Sequence, residues 1–219
     1  MRVAGYDIVT QTAPTIYFIG VTTGQSSALQ LFPTWAKVLG LDRAQIFGVD
    51  LPLQAEAQQY RQAVAQIKYD PLSLGALVTT HKLNLIKAAR DLFNELDPLA
   101  QLCGEISCIS KSGDRVVGQA KDPITAGRSL QAILKPGYWK TDHGQVLCLG
   151  AGGAATAIVV HFMTRADPAE RPDRIIVVDI QQSQLNHLQA VIRQLPPTIE
   201  VETILNDDPQ VNDRLMAAL

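Results

Sequence analysis

Residues 146–162, VLCLGAGGAATAIVVHF, place three glycines within four positions between two apolar runs. Glycine loses more backbone freedom on folding than any other residue, so such a cluster needs a structural or chemical reason. QVLCLG (145–150) has the composition of a buried strand, and AATAIVVHFMTR after it has the length of a helix. RIIVVDI (174–180) is a second strand. The glycines therefore stand at a strand-to-helix turn inside a βαβ unit. The spacing fits G-x-G-x-x-A, with Gly150, Gly152 and Ala155 at the fixed positions and Ala151, Gly153 and Ala154 between them. Gly150 allows a tight turn, Gly152 allows close approach of a pyrophosphate, and Ala155 lets helix pack on strand. The helix N-terminus offers N–H groups and partial positive charge to the phosphates. Asp179 ends the second strand, where a carboxylate would bind the ribose hydroxyls of a dinucleotide. The bland alternative is a glycine-rich turn that only permits close packing.

The same alternation runs upstream. TIYFIGV (15–21), AQIFGVD (44–50) and LGALVTT (74–80) read as buried strands, and Tyr60, Val64 and Ile67 fall at helical spacing between the last two. Strand, helix, strand is the pattern of a parallel sheet, so the expected class is α/β. LNLIKAARDLFNEL (83–96) predicts a helix, and DPLAQL (97–102) a short one with Asp97 as cap and Pro98 at its first position. GEISCISKSGDRVVGQA predicts two short strands around a Ser-Gly-Asp turn, DPITAGRSLQAIL (122–134) a capped helix, and KPGYWKTDHG a loop. At 219 residues two domains are expected, with a boundary near Asp122: 1–121 and 122–219.

Composition excludes several classes. A net charge of −2 without a Lys/Arg block argues against a nucleic-acid partner. No apolar run reaches membrane-span length, and MRVAGYDIVTQTAPT lacks the features of a secretory signal. Three cysteines at unrelated spacings form neither a disulfide framework nor a zinc site, and four scattered histidines have no metal-ligand spacing. A cytoplasmic protein without a metal is expected, with Cys148 in the core.

GALVTTHK, LAQLCGEISCIS and GQAKDPITAG, read in order ahead of LGAGGAA, resemble the shikimate dehydrogenase family over nearly all the chain from about Ile16. The resemblance implies an N-terminal α/β substrate-binding catalytic domain over 1–121 and a Rossmann dinucleotide-binding domain over 122–219, with catalysis in the cleft between them. The Rossmann domain is expected to be incomplete, since further strands after IEVETIL and a returning helix would follow. The implied activity is hydride transfer between a nicotinamide cofactor and a cyclic hydroxy or keto acid such as shikimate, quinate or a relative, as in aromatic amino acid biosynthesis. Alternatives are a catalytically inactive dinucleotide-binding relative and a methylenetetrahydrofolate-type dehydrogenase. The expected partner is a small-molecule substrate, and the expected assembly a monomer or homodimer.

Carried over position by position, the resemblance makes Lys82 and Asp122 the catalytic pair and Ser26, Thr79 and Ser107 substrate-binding residues. Leu77 stands where the family has Asn, Ala28 replaces a second serine, and the proline before the lysine is gone. Ala120, Lys121 and Pro123 also depart from the pattern around Asp122. Without the resemblance, Lys82 is a solvated residue opening a helix and Asp122 a helix cap. His81 is expected to line the cleft and Lys121 to be solvated. NAD is expected rather than NADP, because Val178, Asp179 and Ile180 replace the Asn-Arg-Thr of NADP-dependent members.

Overall fold

A computed structural model describes residues 1–135 and 137–219. The apolar runs become two separate sheets, one in each of two units, Met1–Lys121 and Asp122–Leu219.

The first unit opens with a hairpin of β1 (Arg2–Val3) and β2 (Tyr6–Asp7) and continues with β3 (Thr15–Gly20), α1 (Ser27–Val38), β4 (Gln45–Asp50) and α2 (Ala57–Tyr69). It then runs through β5 (Ser73–Val78), α3 (Lys82–Ala89), β6 (Glu95–Leu96), α4 (Pro98–Cys103), β7 (Cys108–Ser112) and β8 (Arg115–Gln119). The strand order is β4-β3-β5-β7-β8-β6. β3 is parallel to both its neighbours, whereas β7 is antiparallel to β5 and β8. Helices cross over between parallel strands, so β3 is covered on both faces. Tyr17 and Ile19 on one face and Phe18 on the other are buried as a result, which explains its unbroken apolar run.

Two elements of this unit differ from the sequence reading. α1 carries Pro33 in its interior and was not legible as a helix, because an internal proline reads as a breaker. The helix expected over 83–96 ends at Ala89, followed by a 3-10 turn. Asn94 donates its N–H to the Val116 carbonyl at 2.9 Å and its Oδ1 accepts from the Val116 N–H at 2.8 Å, drawing the chain out into β6. α4 matches the expectation: Asp97 Oδ1 accepts from the Ala100 N–H at 2.7 Å and Pro98 occupies the first position.

The second unit contains α5 (Asp122–Ile133), α6 (Tyr138–Asp142), β9 (Gln145–Leu149), α7 (Gly153–Met163), β10 (Arg174–Asp179), α8 (Gln182–Ile192), β11 (Glu200–Leu205) and α9 (Pro209–Ala217). Its sheet is wholly parallel, in the order β11-β10-β9. KPGYWKTDHG is not all loop, since residues 138–142 form α6; Pro136 lies outside the described residues. Trp139 on α6 meets Phe162 on α7 edge to face, with centroids 5.2 Å apart, and that apolar contact fixes the turn of helix. Cys148 is half-buried against the apolar cluster of Val159, Phe162, Ile175 and Val177.

Candidate functional site

In the first unit the candidate residues gather at the C-terminal ends of β3 and β5, where a doubly wound sheet leaves its loops free for chemistry. Ser26 caps α1, its Oγ accepting from the Ala28 N–H at 3.2 Å. The Thr79 N–H donates to the Ile19 carbonyl at 2.9 Å. Its methyl group and that of Thr23 both close on Gly20, where a Cβ would lie 3.0 Å from each.

The chain then turns sharply. Thr80 has φ +60°, an uncommon conformation for a β-branched residue, and the His81 N–H reaches back to the Thr79 carbonyl at 2.5 Å. His81 does not line a cleft; it is 1% exposed. Its Nε2 lies 3.0 Å from the Leu51 carbonyl, which can only accept, so Nε2 carries the proton. Nδ1, 3.0 Å from the Tyr60 hydroxyl, therefore accepts. With both ring nitrogens engaged, His81 also accepts the Leu85 N–H on its carbonyl at 2.9 Å, which starts α3 at Lys82.

Backbone bonds tie Ser107 and Lys82 to the same strand end. The Lys82 carbonyl accepts from the Ile106 N–H at 3.3 Å, and the Ser107 carbonyl from the Val78 N–H at 2.9 Å. The Ser107 Oγ accepts from the Lys121 N–H at 2.8 Å. Lys121 is not merely solvated, because its Nζ lies 3.6 Å from Asp97 Oδ2. Ser26, Thr79, Lys82 and Ser107 thus belong to one unit, and Asp122 opens α5 in the other.

Sequence reasoning missed Asp50. It closes β4, and its Oδ1 accepts from the Thr23 N–H at 2.8 Å and the Thr23 hydroxyl at 2.6 Å. The Thr23 hydroxyl and N–H hold its carboxyl below the usual carboxylate range. The available signal was an aspartate ending an apolar strand, the same signal that singled out Asp179.

In the second unit Gly150 to Ala155 join the C-terminal end of β9 to the start of α7. Gly150 has φ +107°, a region that requires glycine. Gly152 is different: its φ of −71° suits any residue, and a Cβ there would meet no atom within 4 Å. Ala155 is buried against the sheet. Asp179 Oδ2 accepts from the Ala151 N–H at 2.6 Å and Oδ1 from the Gln181 N–H at 2.7 Å, so the carboxylate pins the glycine turn to the end of β10. Beside it lies a depression of about 220 Å³ lined by Gly150, Asp179, Ile180, Asn206 and Asn212, among others. Among the described residues no cluster of His, Cys, Asp or Glu could hold a metal ion, and no helix is long and apolar enough to cross a membrane.

No family model matches the chain. Over 120 residues it is 33% identical to the shikimate dehydrogenase (NADP(+)) of Bacillus cytotoxicus, a match covering 53% of this chain and 41% of that protein. The chain therefore matches less than half the length of that curated relative. The fold is that of a quinate dehydrogenase from Corynebacterium glutamicum solved with NAD, with TM-score 0.69 and 18% identity, covering 94% of this chain and 68% of that one. A shikimate 5-dehydrogenase from Listeria monocytogenes, solved with shikimate and NAD, gives TM-score 0.68 at 16% identity over 95% of this chain and 67% of that one. The chain thus resembles shikimate dehydrogenases in sequence over 120 residues, and shares the fold of shikimate and quinate dehydrogenases.

Proposed function

We propose that the chain is an oxidoreductase of the shikimate dehydrogenase type, with residues 1–121 binding a cyclic hydroxy or keto acid and residues 122–219 binding NAD. The observation that carries this reading is Gly152. Neither its backbone angles nor its neighbours demand glycine, and a Cβ would project into open space at the N-terminus of α7. A glycine without an internal reason, beside free helix N–H groups, supports a phosphate-bearing ligand that must approach the backbone closely. The relatives named for NADP, or solved with NAD, favour a nicotinamide dinucleotide as that ligand. Bound there, it would supply the hydride acceptor.

The rest of the chemistry belongs to the chain. Lys82, at the first position of α3, holds an ammonium on a flexible stem at the strand ends. It stabilises the oxygen of the reacting carbonyl and passes a proton to or from it. Asp122 is the second catalytic group, a carboxylate for the reacting hydroxyl, while Ser26, Thr79 and Ser107 grip the ring. NAD is preferred over NADP, because Asp179 would repel a 2′-phosphate. Asp179 still has lone pairs for a ribose hydroxyl after accepting two N–H groups, since a carboxylate offers about four acceptor sites. The test is Gly152→Val: calorimetric NAD binding should be lost at an unchanged melting temperature. Retained binding would overturn the cofactor assignment.

A further inference from the structure

A cavity of about 240 Å³ lies wholly within residues 122–219, toward the end of α7 that is remote from the glycine turn. It opens between the C-terminal halves of α5 and α7, bounded by α6 and by the 3-10 turn Pro168–Glu170. His161 in its wall stands about 12 Å along α7 from Gly153, at about 1.5 Å of rise per residue. The floor is aromatic. Tyr138, Trp139, Phe162 and His161 form a chain of edge-to-face contacts, with successive centroids 5.0, 5.2 and 5.3 Å apart. Two glycines make room for these rings. A Cβ on Gly144 would lie 3.1 Å from Trp139 and 3.2 Å from Tyr138, and one on Gly127 would strike the His161 ring.

The rim carries charge. Arg165 pairs with Glu170, and its carbonyl accepts from Arg171 Nε at 2.9 Å, which fastens the turn to the end of α7. Gln131, with its amide oxygen turned to Arg165, accepts from Nη2 at 3.2 Å and Nη1 at 3.3 Å. A guanidinium has five N–H donors, so these partners hold Arg165 in place and leave donors over. Lys135 adds a second cation, with no carboxylate partner among the described residues. Burial of the ring and the nearby Arg165 hold His161 below the ordinary histidine value, so it is neutral at pH 7. Two cations therefore face one carboxylate, and the lining keeps a single net positive charge.

We propose that this cavity binds a small aromatic monocarboxylate, with its ring against Trp139 and Phe162 and its carboxylate between Lys135 and Arg165. The volume lies below the roughly 300–1,000 Å³ of drug-sized sites, which limits the occupant to a single ring. An aromatic ring suits this floor better than a saturated one, because it adds edge-to-face contacts to the burial of apolar area. One carboxylate balances the lining and matches the planar fork of the guanidinium. A second would meet Glu170. Its lining residues are distinct from those assigned above to the dinucleotide and the ring substrate.

The probe is benzoate, added to the whole chain labelled with 5-fluorotryptophan. The chain has two tryptophans, Trp139 in this cavity and Trp35 on α1, and Trp35→Phe assigns their fluorine signals. Benzoate should move the Trp139 signal saturably at millimolar concentration and leave that of Trp35 in place, with or without NAD. Benzylamine, which reverses the charge, and cyclohexanecarboxylate, which loses the aromatic ring, should both bind more weakly. Lys135→Met, at an exposed position, should weaken benzoate by about fivefold. Ala169→Phe fills the cavity from the turn and should abolish the shift with an unchanged circular dichroism spectrum. Lys82→Met should leave the shift intact, which separates this cavity from the site proposed for the ring substrate. A Trp139 signal that benzoate does not move saturably overturns the proposal. So does benzylamine or cyclohexanecarboxylate binding as tightly as benzoate, indifference to Lys135→Met, a shift that survives in folded Ala169→Phe, or one lost in Lys82→Met.

Discussion

Replacing His81 with alanine should cost about 3–5 kcal/mol of stability, a large part of the roughly 5–15 kcal/mol that holds a domain folded. The figure follows from what the ring touches. Its loss leaves the Tyr60 hydroxyl and the Leu51 carbonyl facing a void, both on residues at most 7% exposed. Each orphaned group costs about 1–3 kcal/mol, and the cavity adds to that. Tyr60→Phe removes one hydroxyl and keeps the packing, so about 1–2 kcal/mol is expected there. The two changes share one hydrogen bond, and their double mutant should be less destabilised than the sum of the singles. Thr80, held at φ +60°, stores about 1–2 kcal/mol of backbone strain that only a well-anchored neighbour can maintain. Relaxation of that turn should speed hydrogen exchange at the Leu85 N–H, which donates to the His81 carbonyl. Urea unfolding of the three variants with exchange at that amide is the assay. A cost below about 1 kcal/mol for His81→Ala would refute the anchoring role.

Other predictions rest on separate features. Burial, assisted by Arg165, lowers the pKa of His161 although the Pro123 carbonyl works the other way. The unfolded state then binds more protons than the folded one as pH drops below the unpaired histidine value of about 6.5. Stability should therefore fall with pH from about 6.5 down to the depressed folded value, and His161→Gln should flatten that slope in urea unfolding at a series of pH values. Gly75→Ala should destabilise by about 3 kcal/mol or more, read from the urea midpoint, because φ is +129° and a Cβ would sit 2.1 Å from the Ile109 carbonyl oxygen. Calorimetry should show NAD binding more tightly than NADP, and tighter NADP binding would reverse the role given to Asp179. Shikimate should be turned over poorly, since Leu77, Ala28 and Ser107 leave its hydroxyls and carboxylate with fewer partners; efficient oxidation would show that other groups grip the ring.

The glycine turn was legible because it is local: a strand, three glycines and a helix each act through neighbours in sequence, and Gly150 and Ala155 take the conformations and packing expected of them. β3 was legible for a related reason, since a strand buried on both faces shows as an unbroken apolar run. What escaped depends on partners far along the chain. His81 reads as a polar residue beside a lysine, and only Tyr60 and Leu51, 21 and 30 residues away, turn it into a buried anchor. Asp50 gains its meaning from Thr23, 27 residues back. Asn94 ends a helical pattern by pairing with Val116, a choice that no window around residue 94 contains.

The most direct measurement follows reduction of NAD by the purified protein over a panel of cyclic hydroxy acids that includes quinate, for the wild type and for Lys82→Met. The account predicts turnover of at least one acid by the wild type. It predicts loss of that turnover by at least a thousandfold in the variant, with NAD affinity and melting temperature retained, because the lysine acts only at the reacting oxygen. Turnover that survives in Lys82→Met would contradict it.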